Sequence, residues 1–223
     1  MPCEAYREIH LGGTATNLVA YLEDAGFDLI FVIIGQNVIV VGIQIENRLF
    51  IGFRGTLFCY LYDWKINFRA ELCPSRVMSG RYHEGFCVEA YRVVPYILRE
   101  VLSSTKPINE VVFSGHSLGG AVAAICKIFL SIYWRIPPLD PAKHMRTIMV
   151  AAPRYCDGAA YNDWRAAPYP VQLRGSGDMI PTIPARRLGY AVLLANLTHQ
   201  GIFSSNHRER LRSCIHLGAG LFS

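Results

Sequence analysis

The stretch from Ile108 to Tyr133 limits what this chain can become more than any other. It opens with a β-branched and aromatic run, Ile108 to Phe113, which predicts a buried strand. It closes with a long apolar segment from Ala121 that holds neither glycine nor proline, which predicts a helix. Between them lies Gly115-His116-Ser117-Leu118-Gly119, a G-x-S-x-G pattern. A strand that turns at once into a helix crowds the residue at the turn, and only small neighbours tolerate that crowding. The glycines on both sides of Ser117 meet this need, and they lift its hydroxyl to the end of a sheet beside a helix N-terminus. A serine that merely capped the helix would not need glycine on both sides.

Other predicted elements surround this stretch. Thr16 to Gly26 reads as a helix stopped by its glycine. Leu29 to Ile34, Val38 to Ile45 and Leu49 to Phe53 read as strands. The polar break Gly35-Gln36-Asn37 makes the first two a hairpin rather than one membrane-spanning helix. A helix follows from Val88 to about Ser103, with Pro95 inside it. Pro137, Pro138 and Pro141 mark a loop. Thr147 to Ala152, Val171 to Leu173 and Gly189 to Leu197 read as further strands, and Arg208 to Ile215 as a last helix. Strands alternating with helices predict an α/β fold, a mainly parallel central sheet with helices on both faces and antiparallel N-terminal strands. At 223 residues, one domain over 1–223 is expected.

Composition narrows the partners. Only 17% of residues are charged against 52% hydrophobic, and the net charge of +5 is scattered, so nucleic acid is not an expected partner. The seven cysteines include no C-x-x-C, so neither a metal site nor a disulfide framework is implied. The N-terminus shows no secretory signal, and a cytoplasmic location is the expectation. Leu57 to Phe68 is rich in aromatic and aliphatic residues where a loop is expected. It reads equally as core and as an exposed binding face.

A serine hydroxyl needs an imidazole base, and the base needs an acid to fix its tautomer. On such a sheet these groups come from strand-exit loops in the order serine, acid, histidine. Asp178, in the glycine-rich loop after Val171–Leu173, is favoured over Asp140, Asp157 and Asp163. His207 is favoured as base, with His199 and His216 as alternatives. The oxyanion of an acyl transfer needs aimed donors. The Leu118 N–H at the helix start is one, and Thr56 in Arg54-Gly55-Thr56 is the natural second. No cofactor is required by this chemistry.

The ordered set Gly52-Phe53-Arg54-Gly55-Thr56, Asp63-Trp64, His83-Glu84-Gly85-Phe86 with Ala90-Tyr91, Gly115 to Ala121, Ala152-Pro153-Arg154, Asp178-Met179-Ile180-Pro181, Ile183-Pro184 and Gly189-Tyr190 resembles the lipase class 3 family of α/β-hydrolases. The resemblance runs from about Ile39 to Leu211. It implies a serine carboxylic ester hydrolase, a lipase acting on acylglycerols, with Ser117, Asp178 and His207 as its triad and Thr56 and Leu118 as its oxyanion hole. It also implies that Leu57, Phe58, Tyr60, Leu61 and Trp64 belong to a substrate-binding or lid segment, which would meet a lipid interface transiently. A phospholipase A1, a feruloyl-type esterase and a non-catalytic lipid-binding relative are the alternatives. Headgroup, chain length and oligomeric state are left open by the sequence.

Overall fold

The structure is a computed structural model that describes residues 16–35, 38–54, 71–75, 77–133, 140–163, 168–175, 180 and 196–198. Seven strands form one sheet: β1 (Asp28–Ile34), β2 (Ile39–Ile45), β3 (Arg48–Arg54), β6 (Glu110–His116), β7 (Met145–Val150), β8 (Val171–Arg174) and β9 (Asn196–Thr198), in the order β1-β2-β3-β6-β7-β8-β9. β1, β2 and β3 pair antiparallel, and from β3 onward every pairing is parallel. The expected α/β architecture is therefore present. A small hairpin, β4 (Leu72–Pro74) with β5 (Arg81–His83), stands apart from the sheet, and Tyr82 bridges to Cys156 in the chain between β7 and β8.

The helices are α1 (Thr16–Asp24), α2 (Glu84–Ser103), α3 (Leu118–Tyr133) and two single turns, α4 (Pro141–His144) and α5 (Gly158–Tyr161). α1 ends as its glycine predicts. Gly26 takes φ 75°, its N–H bonds the Glu23 carbonyl at 2.9 Å, and the Phe27 N–H reaches back to Leu22 at 3.0 Å. This is a Schellman stop, and Phe27 packs in the same apolar cluster as Leu22.

The two faces of the sheet are covered separately. Ile39 and Val41 join Leu22 in a small cluster under α1. Val38 and Val40, of opposite parity, join the main core with α2 and α3. β1 departs from simple alternation at an irregularity between Leu29 and Phe31, where Ile30 and Phe31 both serve the main core. Phe31 lies over Gly42 so closely that a Cβ there would come within 2.4 Å of its ring.

Several boundaries differ from the sequence reading. β6 runs on through Gly115 and His116 rather than ending at Phe113, while α3 begins at Leu118, the helix start expected after Ser117. α2 begins at Glu84, a turn before the expected Val88. Pro141 opens α4 instead of marking a loop, since its fixed φ and missing N–H suit a first helical turn. β7 spans Met145–Val150, shifted two residues toward the N-terminus. The β4–β5 hairpin was not expected, because three-residue strands carry too little alternation to read. Of the expected strand from Gly189 to Leu197, only the portion in β9 lies within the described residues, and the expected helix from Arg208 lies outside them. No helix among the described residues is long and apolar enough to cross a membrane.

Candidate active site

β6 lies between β3 and β7, and all three run in the same direction. At its carboxyl edge the chain reverses through Ser117, a non-glycine residue at φ 53°. A left-handed side chain costs on the order of 1–2 kcal/mol, and it persists only where neighbours over-determine it. Here they do. The Ser117 N–H donates to the Val150 carbonyl of β7 at 2.8 Å, and the Ser117 carbonyl accepts from Gly120 N–H at 3.0 Å and from Ala121 N–H at 3.4 Å. A Cβ on Gly115 would stand 2.4 Å from the Gly119 carbonyl carbon, and one on Gly120 would stand 2.8 Å from the Ala152 Cβ. Those glycines let the strand end, the helix start and the exit of β7 meet without side chains between them.

Ser117 is 3% exposed, so its hydroxyl sits where dipoles act with little screening. Beside it lies the first turn of α3, the positive end of the helix, and Leu118 is its first residue. His116 adjoins the serine, but strand alternation gives it the face of Val112 and Ser114, away from Phe113 and the main core.

The strands flanking β6 arrive at the same edge. The register Phe53↔Gly115 brings the exit of β3, with buried Arg54, level with the exit of β6. Gly55 and Thr56 follow directly in sequence, and Thr56 lies outside the described residues, as do Leu57, Phe58, Tyr60, Leu61 and Trp64. β8 and β9 run parallel to β7 toward the same edge and end at Arg174 and Thr198. Asp178, His199, His207 and His216 lie outside the described residues.

The other aspartates have different work. Asp140 precedes β7, at the opposite edge, with Lys143 3.6 Å away. Asp157 caps α5, accepting the Ala160 N–H at 2.9 Å and the Arg81 Nε at 3.1 Å. Burial pushes its carboxyl up, but these hydrogen bonds outweigh burial and hold it below its ordinary range. Asp163 accepts the Ser79 N–H at 3.3 Å.

Two further buried side chains border the chain leaving β7: Gln172, which carries no signal in the sequence, and His83, which belongs to the His83-Glu84-Gly85-Phe86 match. Gln172 in β8 is fully buried and donates from Nε2 to the Ala152 carbonyl at 2.8 Å. A single polar residue in a short apolar run looks like ordinary strand alternation. His83, at the start of α2, is 1% exposed and stacks on Phe86 with ring centroids 3.9 Å apart. Burial pushes it down to about 4, so it is neutral at physiological pH. The His83 backbone N–H donates to the Tyr155 carbonyl at 2.8 Å, tying the hairpin to the chain beyond β7.

A polar hollow of about 380 Å³ lies elsewhere, at the amino edge of β3, β6 and β7. There Arg48 and Arg146 both reach Glu110, at 3.2 and 3.0 Å. It shares no residue with the Ser117 end. Among the described residues no cluster of histidine, cysteine and carboxylate groups is suited to hold a metal ion.

Solved structures share this fold. The Rhizomucor miehei triacylglyceride lipase superposes with a TM-score of 0.64 at 21% identity, covering 74% of this chain and 63% of that one. A triacylglycerol lipase whose catalytic centre is formed by a serine protease triad gives 0.63 at 21% identity, covering 74% and 63%. A mutant of the Penicillium cyclopium protein MDLA gives 0.65 at 19% identity, covering 83% and 70%. At these identities the likeness is one of fold, and the chain spans 63% of the length of the first two. No curated protein gives a significant match to the sequence. The family model for lipase (class 3) matches residues 50–188, which hold the exit of β3, the hairpin, α2, the Ser117 elbow and the β8 exit. The chain belongs to the lipase class 3 family.

Proposed function

We propose that this protein hydrolyses carboxylic esters of lipids, acylglycerols foremost, through an acyl-enzyme on Ser117. The observation that carries the reading is the left-handed serine at the carboxyl edge of β6, with its own N–H engaged by Val150 and the start of α3 beside it. A hydroxyl held this way has its approach direction fixed before substrate arrives, so little ordering remains for the reaction step.

In the proposed cycle His207 takes the Ser117 proton as the oxygen attacks the ester carbonyl, and Asp178 holds the imidazole in the receptive tautomer. The carbonyl oxygen becomes an oxyanion and accepts from the N–H groups of Leu118 and Thr56. The imidazolium then protonates the departing alcohol. Water, deprotonated by the same imidazole, releases the acid and restores Ser117. Leu57, Phe58, Tyr60, Leu61 and Trp64 supply the apolar surface for the acyl chain and for brief contact with a lipid interface. Family membership and a fold shared with triacylglycerol lipases support this choice over a small polar ester.

Labelling with a fluorophosphonate tests the nucleophile, beside hydrolysis of p-nitrophenyl esters, triacylglycerol emulsion and phospholipid vesicles. Ser117→Ala should abolish labelling and lower turnover by about 10³-fold or more, with folding unchanged. A purified Ser117→Ala protein that hydrolyses esters like the wild type would refute the nucleophile. His207→Ala should match that loss. If His199→Ala does so instead, the base is misassigned. Preference for vesicles over emulsion would move the substrate from acylglycerol to phospholipid.

A further inference from the structure

Three hydrogen bonds stitch the strand exits together beyond the regular ladder. Ser117 N–H donates to the Val150 carbonyl, Ala151 N–H to the Leu173 carbonyl, and Gln172 Nε2 to the Ala152 carbonyl, each at 2.8 Å. The first two join main-chain atoms and exist for any side chains. The third depends on one amide. It sits on the strand whose exit leads to Asp178, and it holds a segment packed against the first turn of α3, where Ala152 faces Gly120.

That segment is itself strained. Ala151, like Ser117, is a non-glycine residue in the left-handed region, at φ 51°. Two neighbouring exits thus take the same disfavoured conformation and are bonded to each other. Gln172 is 0% exposed, and its Oε1 has no hydrogen-bond partner among the described residues. A leucine would fill this position without burying an amide oxygen of its own, but it would take the donor from the Ala152 carbonyl. The amide is therefore poorly explained by packing and well explained by the carbonyl it holds.

We propose that Gln172 is a positioning residue, whose bond to Ala152 fixes the spacing between the nucleophile elbow and the strand exit that leads to the acid. The proposal rests on the reading of Ser117 as nucleophile and Asp178 as acid. Loss of the bond frees Ala152, then Gly120, and the elbow drifts relative to the acid loop. Displacements of about 1 Å in such a site can cost about 100-fold in rate.

The test uses the full chain with a soluble p-nitrophenyl ester, and it scores kcat and KM separately beside thermal unfolding. Gln172→Leu should lower kcat by about 10- to 100-fold with KM nearly unchanged and the protein folded. Gln172→Glu adds a readout that packing alone does not move. A protonated glutamate can donate to the Ala152 carbonyl and an ionised one cannot, and burial raises its pKa into the working range. The ratio of its kcat to that of wild type should fall by about 10-fold or more between about pH 5 and pH 8. A folded Gln172→Leu with wild-type kcat, or a flat Gln172→Glu ratio, overturns the inference. If neither variant folds, Gln172 is a folding residue and the positioning role is lost. Wild-type protein that neither hydrolyses esters nor takes the fluorophosphonate would instead defeat the nucleophile reading, a result separable from those above.

Discussion

α2 and α3 pack against each other on the same face of the sheet, yet they are held there in opposite ways. In α2 the buried residues Phe86, Ala90, Val93, Val94, Ile97 and Val101 recur at helical spacing, and the far side is wet. In α3 everything from Gly119 through Ser131 is buried without interruption, including Lys127, whose ammonium burial pulls down to about 8. Their starts differ too. α3 springs from a strained elbow with no room for a side chain, whereas α2 begins beside an aromatic stack of His83 on Phe86. Tolerance to change should therefore be concentrated in α2 and nearly absent from the first turn of α3. A helix enclosed on all sides can hold a strained residue still, and a half-exposed helix can accommodate a proline.

The hardest way to break that contrast is Gly115→Ala. The added methyl would meet the Gly119 carbonyl and the Gly120 nitrogen at 2.4 to 2.6 Å, all of it backbone with no rotamer to yield. We expect a loss of about 3 kcal/mol or more in urea unfolding, with ester turnover falling in the protein that remains folded. A loss under about 1 kcal/mol would mean that the elbow has slack, and the account of how Ser117 is held would fail.

The second test concerns the start of α2. Burial lowers His83 from its ordinary 6.5 to about 4. As pH falls, the unfolded chain takes up its proton first, near 6.5, while the folded protein refuses it until near 4. The stabilisation is thus complete above about 6.5 and drains away down to about 4, by up to about 3 kcal/mol. His83→Phe keeps an aromatic ring against Phe86 and removes the titration. Its stability should fall less steeply than that of the wild type across this window, while carboxylates common to both proteins cancel in the difference. Parallel curves would show that His83 does not carry this acid sensitivity.

How much of this was legible in the sequence follows from the same contrast. The α2 pattern and the β1–β3 runs show in periodicity, because each element has one wet side or a sharp turn to bound it. The elbow was legible for another reason: Gly115, Gly119 and Gly120 leave a chemical mark where side chains are excluded. α3 has no period to read, and its start at Leu118 was legible only through the G-x-S-x-G pattern, which requires a helix to begin directly after the serine. The β4–β5 hairpin is too short to alternate, and its stability comes from remote partners such as Tyr155 and Cys156. Ala151 could not be found at all, since nothing in an Ala-Ala-Pro run announces a left-handed residue. Gln172 was invisible because its meaning lies in a carbonyl twenty residues away.

The smallest expected effect lies on the tolerant helix. Pro95 sits on the exposed side of α2, well inside it, and cannot donate to the carbonyl one turn earlier, that of Tyr91. The Tyr91 ring in turn lies on Phe129 of α3, with centroids 4.3 Å apart. Pro95→Ala restores a helix hydrogen bond and a better helix former, a gain of up to about 3 kcal/mol in an unconstrained helix. Against this, alanine gives the unfolded chain more freedom, which takes back about 1 kcal/mol, and the folded helix has already relaxed around the proline. A net gain of about 1 kcal/mol, seen as a rise of about 2–4 °C in Tm, is therefore expected. Destabilisation would reverse the lesson: the bend would be needed to seat Tyr91 against Phe129, and α2 would be as constrained by α3 as α3 is by everything around it.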